Sequence, residues 1–202
     1  MGKGKKIVVV ASIIIGAVII FLGVCVFISY RDSQLSRVYT SAGEELLYSG
    51  ANRIAEAISL LENALKLDPH NDGAERHLLQ AYLGEKQYLN VIAMQTTQIK
   101  KDPDDWKNYK RMNRIAEAHI ERGEIKEAEG IYESLLTKYR QATGLYLGLS
   151  ICYEKEGNLA KAIEYEEQAI KIMRDNPQYS PQTLVKREME RLSKLYRKSG
   201  DT

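Results

Sequence analysis

The sequence predicts an all-α protein: a single N-terminal transmembrane helix followed by a helical solenoid of about four repeats and a C-terminal capping helix. Three observations carry that expectation. An uncharged, apolar run fills residues 7–28, and a short motif then recurs at a near-constant period. Pro stands only at 69, 103, 177 and 181, in a chain rich in Glu, Lys, Arg, Ala, Leu and Tyr, which is the composition of a helical array. The expected organisation is a basic segment at 1–6, the membrane helix at 7–28, a linker at 29–35, repeats over 36–177, and the capping helix at 180–199. The repeats divide at about 36–69, 70–103, 104–140 and 141–177.

The membrane helix is read first. From Ile7 to Ile28 the residues are mostly Ile, Val, Leu, Phe, Ala and Gly. As a helix this run spans about 33 Å, which matches a hydrocarbon core of about 30 Å. A cleaved signal peptide would share the basic start MGKGKK, but its apolar core would be shorter, and here Val26, Phe27 and Ile28 extend it. Leu22-Gly23-Val24-Cys25 resembles a bacterial lipoprotein signal, which wants Gly, Ala or Ser where Val24 stands. Gly2 lacks the Ser or Thr that myristoylation needs, since Lys6 occupies that place. Ser12, Gly16 and Gly23 fall near one helical face; they read either as a helix contact or as ordinary lipid-facing small residues. Lys3, Lys5 and Lys6 against Arg31 and Arg37 place the N-terminus in the cytoplasm and the repeats outside, for a bacterial plasma membrane.

Charge and cysteine content exclude several classes of function. The formal charge is +2, and the three lysines ahead of the apolar run more than account for it, so the remainder is near neutral. That balance does not suit a nucleic-acid binder, which carries a basic stripe. Cys25 lies in the apolar run and Cys152 in a repeat, so neither a disulfide framework nor a CxxC pair can be drawn.

The repeat begins beyond Arg31. Ile54-Ala55-Glu56-Ala57-Ile58, Ile125-Lys126-Glu127-Ala128-Glu129 and Leu159-Ala160-Lys161-Ala162-Ile163 are variants of one phrase, with a worn copy at Tyr88-Leu89-Asn90-Val91-Ile92. The key positions 57, 91, 128 and 162 are spaced by 34, 37 and 34 residues. A period near 34 with an Ala at this place resembles the tetratricopeptide repeat family. The resemblance extends to a bulky residue four further on (Leu61, Tyr132) and a second Ala seven on (Ala64, Ala169). It includes the closing phrase Asn63 to Pro69, the turn glycines Gly123 and Gly157, and the aromatic place filled by Tyr82 and Tyr153. Departures are Gln95 and Gln98 at apolar places, His119 at the aromatic place, three extra residues near Trp106, and a longer first turn at Ser49 to Asn52.

Each repeat is then two antiparallel helices whose inner stripes only stacked neighbours can bury. Ser180-Pro181 is expected to open the capping helix as N-cap and first residue. Leu184, Met189, Leu192, Leu195 and Tyr196 would face the fourth repeat, with Arg187, Glu188, Arg191 and Lys194 toward water or its rim.

No catalytic residue, cofactor or metal site is read. His70, His77 and His119 stand at no ligand spacing, and no phosphate loop, HExxH or GxSxG occurs. Asp102, Asp104 and Asp105 lack the Gly and distal Glu of a calcium loop.

What the family resemblance implies is a peptide groove lined by the first helix of each repeat. Its exposed places correspond to Gly73, Arg76, His77 and Gln80, then to Lys110, Asn113, Arg114 and Glu117, and then to Gly144, Leu147, Gly148 and Ile151. An acidic peptide would meet Arg76, Lys110 and Arg114, with an apolar side chain over Leu147 and Ile151 and glycines flooring that end. The same charges read equally well as ordinary solvated helix residues. Family members that clamp chaperone tails carry Lys and Asn where the first repeat has Ala42 and Leu46, so no such clamp is expected. The function implied is a membrane-anchored scaffold or assembly adaptor of the cell envelope that binds a protein or peptide and no nucleic acid. A cytosol-facing receptor of an organelle membrane and a regulatory subunit of a membrane enzyme remain alternatives. Self-association and the partner's identity are open.

Overall fold

The computed structural model describes residues 3–49, 53–101, 104–178 and 180–200, with side chains from residue 14 onward. All regular structure in them is α-helix. The chain divides into two compact units, Met1–Glu85 and Lys86–Thr202, each described by itself. The boundary falls inside the segment expected to be the second repeat, whose two helices belong to different units.

The first unit holds α1 (Lys3–Tyr48), α2 (Ile54–Leu67) and α3 (Asp72–Gly84). Residues 29–35, expected to be a linker, are helix: α1 runs unbroken for 46 residues, about 69 Å. The cause is local, since Ser29 to Leu35 contains neither Gly nor Pro to stop a helix already nucleated by the apolar run. Packing begins at Ser36, which is fully buried and donates to the Ala64 carbonyl at 2.9 Å. Asn71 ties the three helices together. Its Nδ2 donates to Ser36 Oγ at 2.8 Å and to Thr40 Oγ1 at 3.0 Å, while its Oδ1 caps α3 by accepting from Ala74 N–H at 3.0 Å. Gly43 lets α1 and α2 approach, because a Cβ there would lie 2.8 Å from Leu61 Cγ. The expected long turn at 49–52 lies, beyond Ser49, outside the described residues.

The second unit holds α4 (Tyr88–Lys101), α5 (Asp105–Arg122), α6 (Ile125–Lys138), α7 (Thr143–Lys155), α8 (Leu159–Asp175) and α9 (Gln182–Ser199). Each of these helices packs on the next, and α5 also touches α7. The key residues Val91, Ala128 and Ala162 are fully buried, as helices in close contact require. Asp104 and Asn158 cap α5 and α8 by accepting from Lys107 N–H at 2.8 Å and Lys161 N–H at 3.2 Å.

Three turns share one backbone device. Gly123 and Gly157, five residues before their key alanines, sit at φ +81°, and Lys86, five before Val91, sits at φ +55°. A side chain in the left-handed region costs about 1–2 kcal/mol, offset in part by the greater unfolded freedom of Gly. Lys86→Gly is therefore expected to raise stability by about 0.5–1 kcal/mol and Gly157→Ala to lower it by about 1 kcal/mol, both read by urea denaturation.

A second regularity links successive repeats. The residue four after the key position meets a residue of the next repeat's first helix. The Tyr132 ring lies over Gly148, where an added Cβ would stand 2.6–2.8 Å from the Cε carbons. One repeat further on, Glu166 pairs with Arg191. The corresponding residue in α4 is Gln95, fully buried with neither amide atom partnered among the described residues, where Gln98 Oε1 likewise finds no partner.

The capping helix corrects the expected arrangement. It starts at Gln182, with Pro181 rather than Ser180 at the N-cap, and the carbonyl of Pro181 accepts from Leu184 N–H at 2.9 Å. Arg191 and Glu188 turn inward. Arg191 bonds Glu166, Glu154 at 3.1 Å and Ser150 Oγ at 3.1 Å, and Glu188 is buried beside Arg187. The reason is the carboxylate of Glu166, placed where other repeats carry Leu61 or Tyr132. Once buried it requires a cation, and α9 supplies one. Met189, expected against the fourth repeat, is instead 44 % exposed.

Candidate binding groove

The α5 surface carries the basic part of the groove read from sequence. Lys110, Asn113, Arg114 and Glu117 follow one helical face, three or four residues apart. Lys110 and Glu117 are exposed, and Asn113 and Arg114 are half-buried. Asn113 Nδ2 donates to Glu117 Oε1 at 2.8 Å. Desolvation nevertheless raises the Glu117 carboxyl above its ordinary range, against the lowering influence of Asn113 and Arg114. Leu147 and Ile151 stand one turn apart on α7, both half-buried, and α7 touches α5. The second unit therefore places a lysine, an arginine and two accessible aliphatic side chains on neighbouring helices.

Of the glycines expected to floor the apolar end, only Gly144 is open, with nothing within 4 Å of an added Cβ. Gly148 is buried under Tyr132 and serves packing.

The first-unit candidates sort differently. Arg76 and Gln80 are exposed on α3, and Gln80 accepts from the Tyr48 hydroxyl at 2.8 Å. His77, expected in the groove, is only 6 % exposed. Its Nε2 lies 3.6 Å from Glu44, its ring meets Tyr48 edge-on at 6.1 Å, and its Nδ1 has no partner among the described residues. The physical reason is local: Glu44 and Tyr48 of α1 lie against the ring and close it off from solvent.

An aromatic ladder beside Lys110 was not anticipated from sequence. Trp106, 56 % exposed, stacks on Tyr109 at 5.0 Å and 10°, and Tyr109 meets Tyr139 at 4.7 Å. Lys110 Nζ lies 5.1 Å from the Trp106 ring centroid, a cation–π contact worth about 0.5–1 kcal/mol at an exposed site. Lys138 pairs with Asp105 and lies 5.6 Å from the Tyr139 ring. The available signal was the spacing of Trp106, Tyr109 and Lys110, which puts all three on one face. Burial, followed by the nearby Tyr139 and Glu117 charges, raises the Tyr109 phenol. Burial and Glu117 act likewise on Tyr132.

At the turn after α5, His119 and Arg122 both bond Glu124, at 2.7 and 2.6 Å, and hold its carboxyl down to about 2. His119 thus fills the family's aromatic place with a polar bond to the turn. Cys152 is buried, and its thiol is pushed up to about 11. No group of three His, Cys, Asp or Glu side chains among the described residues is arranged to hold a metal.

Antiparallel helix pairs stacked through small residues define a helical-repeat protein. The chain belongs to the tetratricopeptide repeat family, whose profile matches residues 49–113 and 119–183. Proteins of this fold are generally non-enzymatic scaffolds that bind protein partners. Solved structures share the fold at low identity. MamA from Desulfovibrio magneticus RS-1, residues 41 to the end, is 15% identical with a TM-score of 0.56, covering 83% of this chain and 98% of that one. A further MamA crystal structure is 18% identical with a TM-score of 0.57, covering 83% and 93%. No curated protein matches the sequence.

Proposed function

We propose that this chain is a membrane-anchored scaffold of the cell envelope whose second unit holds an acidic peptide against α5 and α7. The observation that carries the reading is that α5, which bears Lys110 and Arg114, touches α7, which bears Leu147 and Ile151. A peptide carboxylate next to an aliphatic side chain finds a complement to each there. Asn113 adds an amide, and Trp106 a flat apolar surface beside Lys110. Glu117, at the end of the same face, is held by Asn113 at 2.8 Å. No chemistry is asked of the groove.

Anchoring rests on α1. It is apolar enough over sufficient length to cross a membrane, and its large side chains from Ile14 to Ile28 are exposed. Such a surface is stable in lipid and unfavourable in water. Three lysines precede the run, and on the far side Arg31 is already paired with Asp32 at 2.7 Å. That asymmetry favours an N-terminus in the cytoplasm and repeats outside. Because α1 continues as helix to Ser36, where packing starts, the packed part of the first unit begins about 12 Å beyond Ile28 on a stiff connection. Anchoring of this kind raises the effective concentration of membrane partners for the chain.

Trp106 is the single tryptophan of the chain, so groove occupancy has an intrinsic reporter. Titrating the full chain in detergent with a synthetic peptide of Glu, Asp and one Leu is expected to change Trp106 fluorescence saturably. Lys110→Glu with Arg114→Glu is expected to weaken binding at least tenfold at low salt. Equal affinity in both proteins would reject the groove reading. Protease digestion of the repeats in intact cells supports the outward topology, and protection until the inner compartment is opened rejects it.

A further inference from the structure

A second surface lies at the C-terminal end of the second unit, apart from α5. Two adjoining cavities of about 790 and 770 Å³ run between α8 and α9 and share Arg174, Met189, Ser193 and Arg197, forming one trough. Its apolar lining comes from Ile170 and Met173 on α8 and from Val185, Met189 and Leu192 on α9. Met is well suited to such a place, because its flexible thioether adapts to different surfaces.

Repeat geometry says what shape fits. The first helix of the fourth repeat, α7, is covered by its own second helix, α8. α9 stands in the same relation to α8 as α7 does to α6, and no described helix takes the covering place beside it. A helix laid along α9 would pack there as α8 packs on α7.

Charge says which helix. Lys171, Arg174, Lys186, Lys194 and Arg197 line the trough and form no ion pair with a described residue. Only Glu167, Asp175 and Glu190 oppose them, and Glu167 already accepts from the Tyr196 hydroxyl at 2.6 Å. Two copies meeting through this trough would bring like charges together, whereas an acidic helix would neutralise them.

We propose that the α8–α9 trough is a second docking site, distinct from the α5–α7 groove, and that it receives an amphipathic helix with an apolar stripe flanked by Asp and Glu from a partner protein. The apolar stripe covers Met189 and Leu192, and the flanking carboxylates reach the rim cations.

The test uses the full chain in detergent and two labelled synthetic helices of the length of α9, one of Leu, Ala and Glu and the other of Leu, Ala and Lys, followed by fluorescence anisotropy. The acidic helix is expected to bind saturably and more weakly as salt rises, and the basic helix not to bind. Lys194→Glu with Arg197→Glu, both exposed, is expected to cost about tenfold in affinity, and Met189→Asp at least as much. Lys110→Glu with Arg114→Glu is expected to leave this binding unchanged, so failure here and failure of the groove reading are separable. Equal binding of the two helices, or indifference to the rim reversal, overturns the proposal. A concentration-dependent dimer that Met189→Asp dissociates overturns it too, because the trough then belongs to a second copy.

Discussion

Arg191→Met is expected to destabilise the second unit by about 3–5 kcal/mol, whereas Arg191→Met combined with Glu166→Leu is expected to lie within about 1 kcal/mol of the parent or above it. The asymmetry follows from burial. Glu166 is fully buried, its described bond runs to Arg191, and its Oε1 has no partner among the described residues. Removing the guanidinium leaves a carboxylate with neither water nor cation. Removing both charges restores what the repeat carries elsewhere, a bulky apolar residue such as Leu61 in contact with its neighbours. The pair is thus a poor source of net stability and a strong determinant of where α9 sits, since Arg191 also bonds Ser150 and Glu154 on α7. Urea denaturation of the full chain in detergent, followed by circular dichroism, measures all three variants. A double variant as unstable as the single one would mean that the ion pair contributes net stability.

How much of this was legible in the sequence depends on which contacts a residue answers to. The small residues at 57, 128 and 162 are dictated by the closest approach of two helices, a local and repeated demand, so the period shows plainly. The helices of α2 to α9 follow from that period with caps such as Asn71 and Asp104 marking their starts. Arg191 was misplaced because its inward turn answers to Glu166, twenty-five residues earlier in another repeat. A single amphipathic pattern along α9 cannot show that. His77 was misplaced for a related reason. Groove positions assigned by offset along one helix ignore which neighbouring side chain occupies the space, and Tyr48 and Glu44 of α1 enclose that ring. The continuity of α1 does not show in the switch from apolar to polar residues after Ile28, although Ser29 to Leu35 contains nothing that breaks a helix. Trp106 was noticed only as an insertion, yet its stack on Tyr109 places it beside Lys110.

Gly148→Ala is expected to cost about 1–3 kcal/mol, and the same substitution in a Tyr132→Leu background is expected to be neutral or stabilising by up to about 1 kcal/mol. In the parent, the new methyl meets the far edge of the Tyr132 ring, and the ring has nowhere to go, being itself only 2 % exposed. Leucine lacks the Cε and Cζ atoms that clash, so in that background the usual helical preference for Ala over Gly re-emerges. The sign reversal separates packing from function at this end of the surface. Gly144, open on the same helix, is the contrasting case: Gly144→Ala adds a methyl into free space, so it should leave stability near the parent value or slightly higher. If the α5–α7 groove takes a peptide backbone close to α7, Gly144→Ala weakens the Trp106-reported affinity without a loss of stability. Gly148→Ala would act on affinity only through the fold it disturbs, and the Tyr132→Leu background would remove that effect along with the strain.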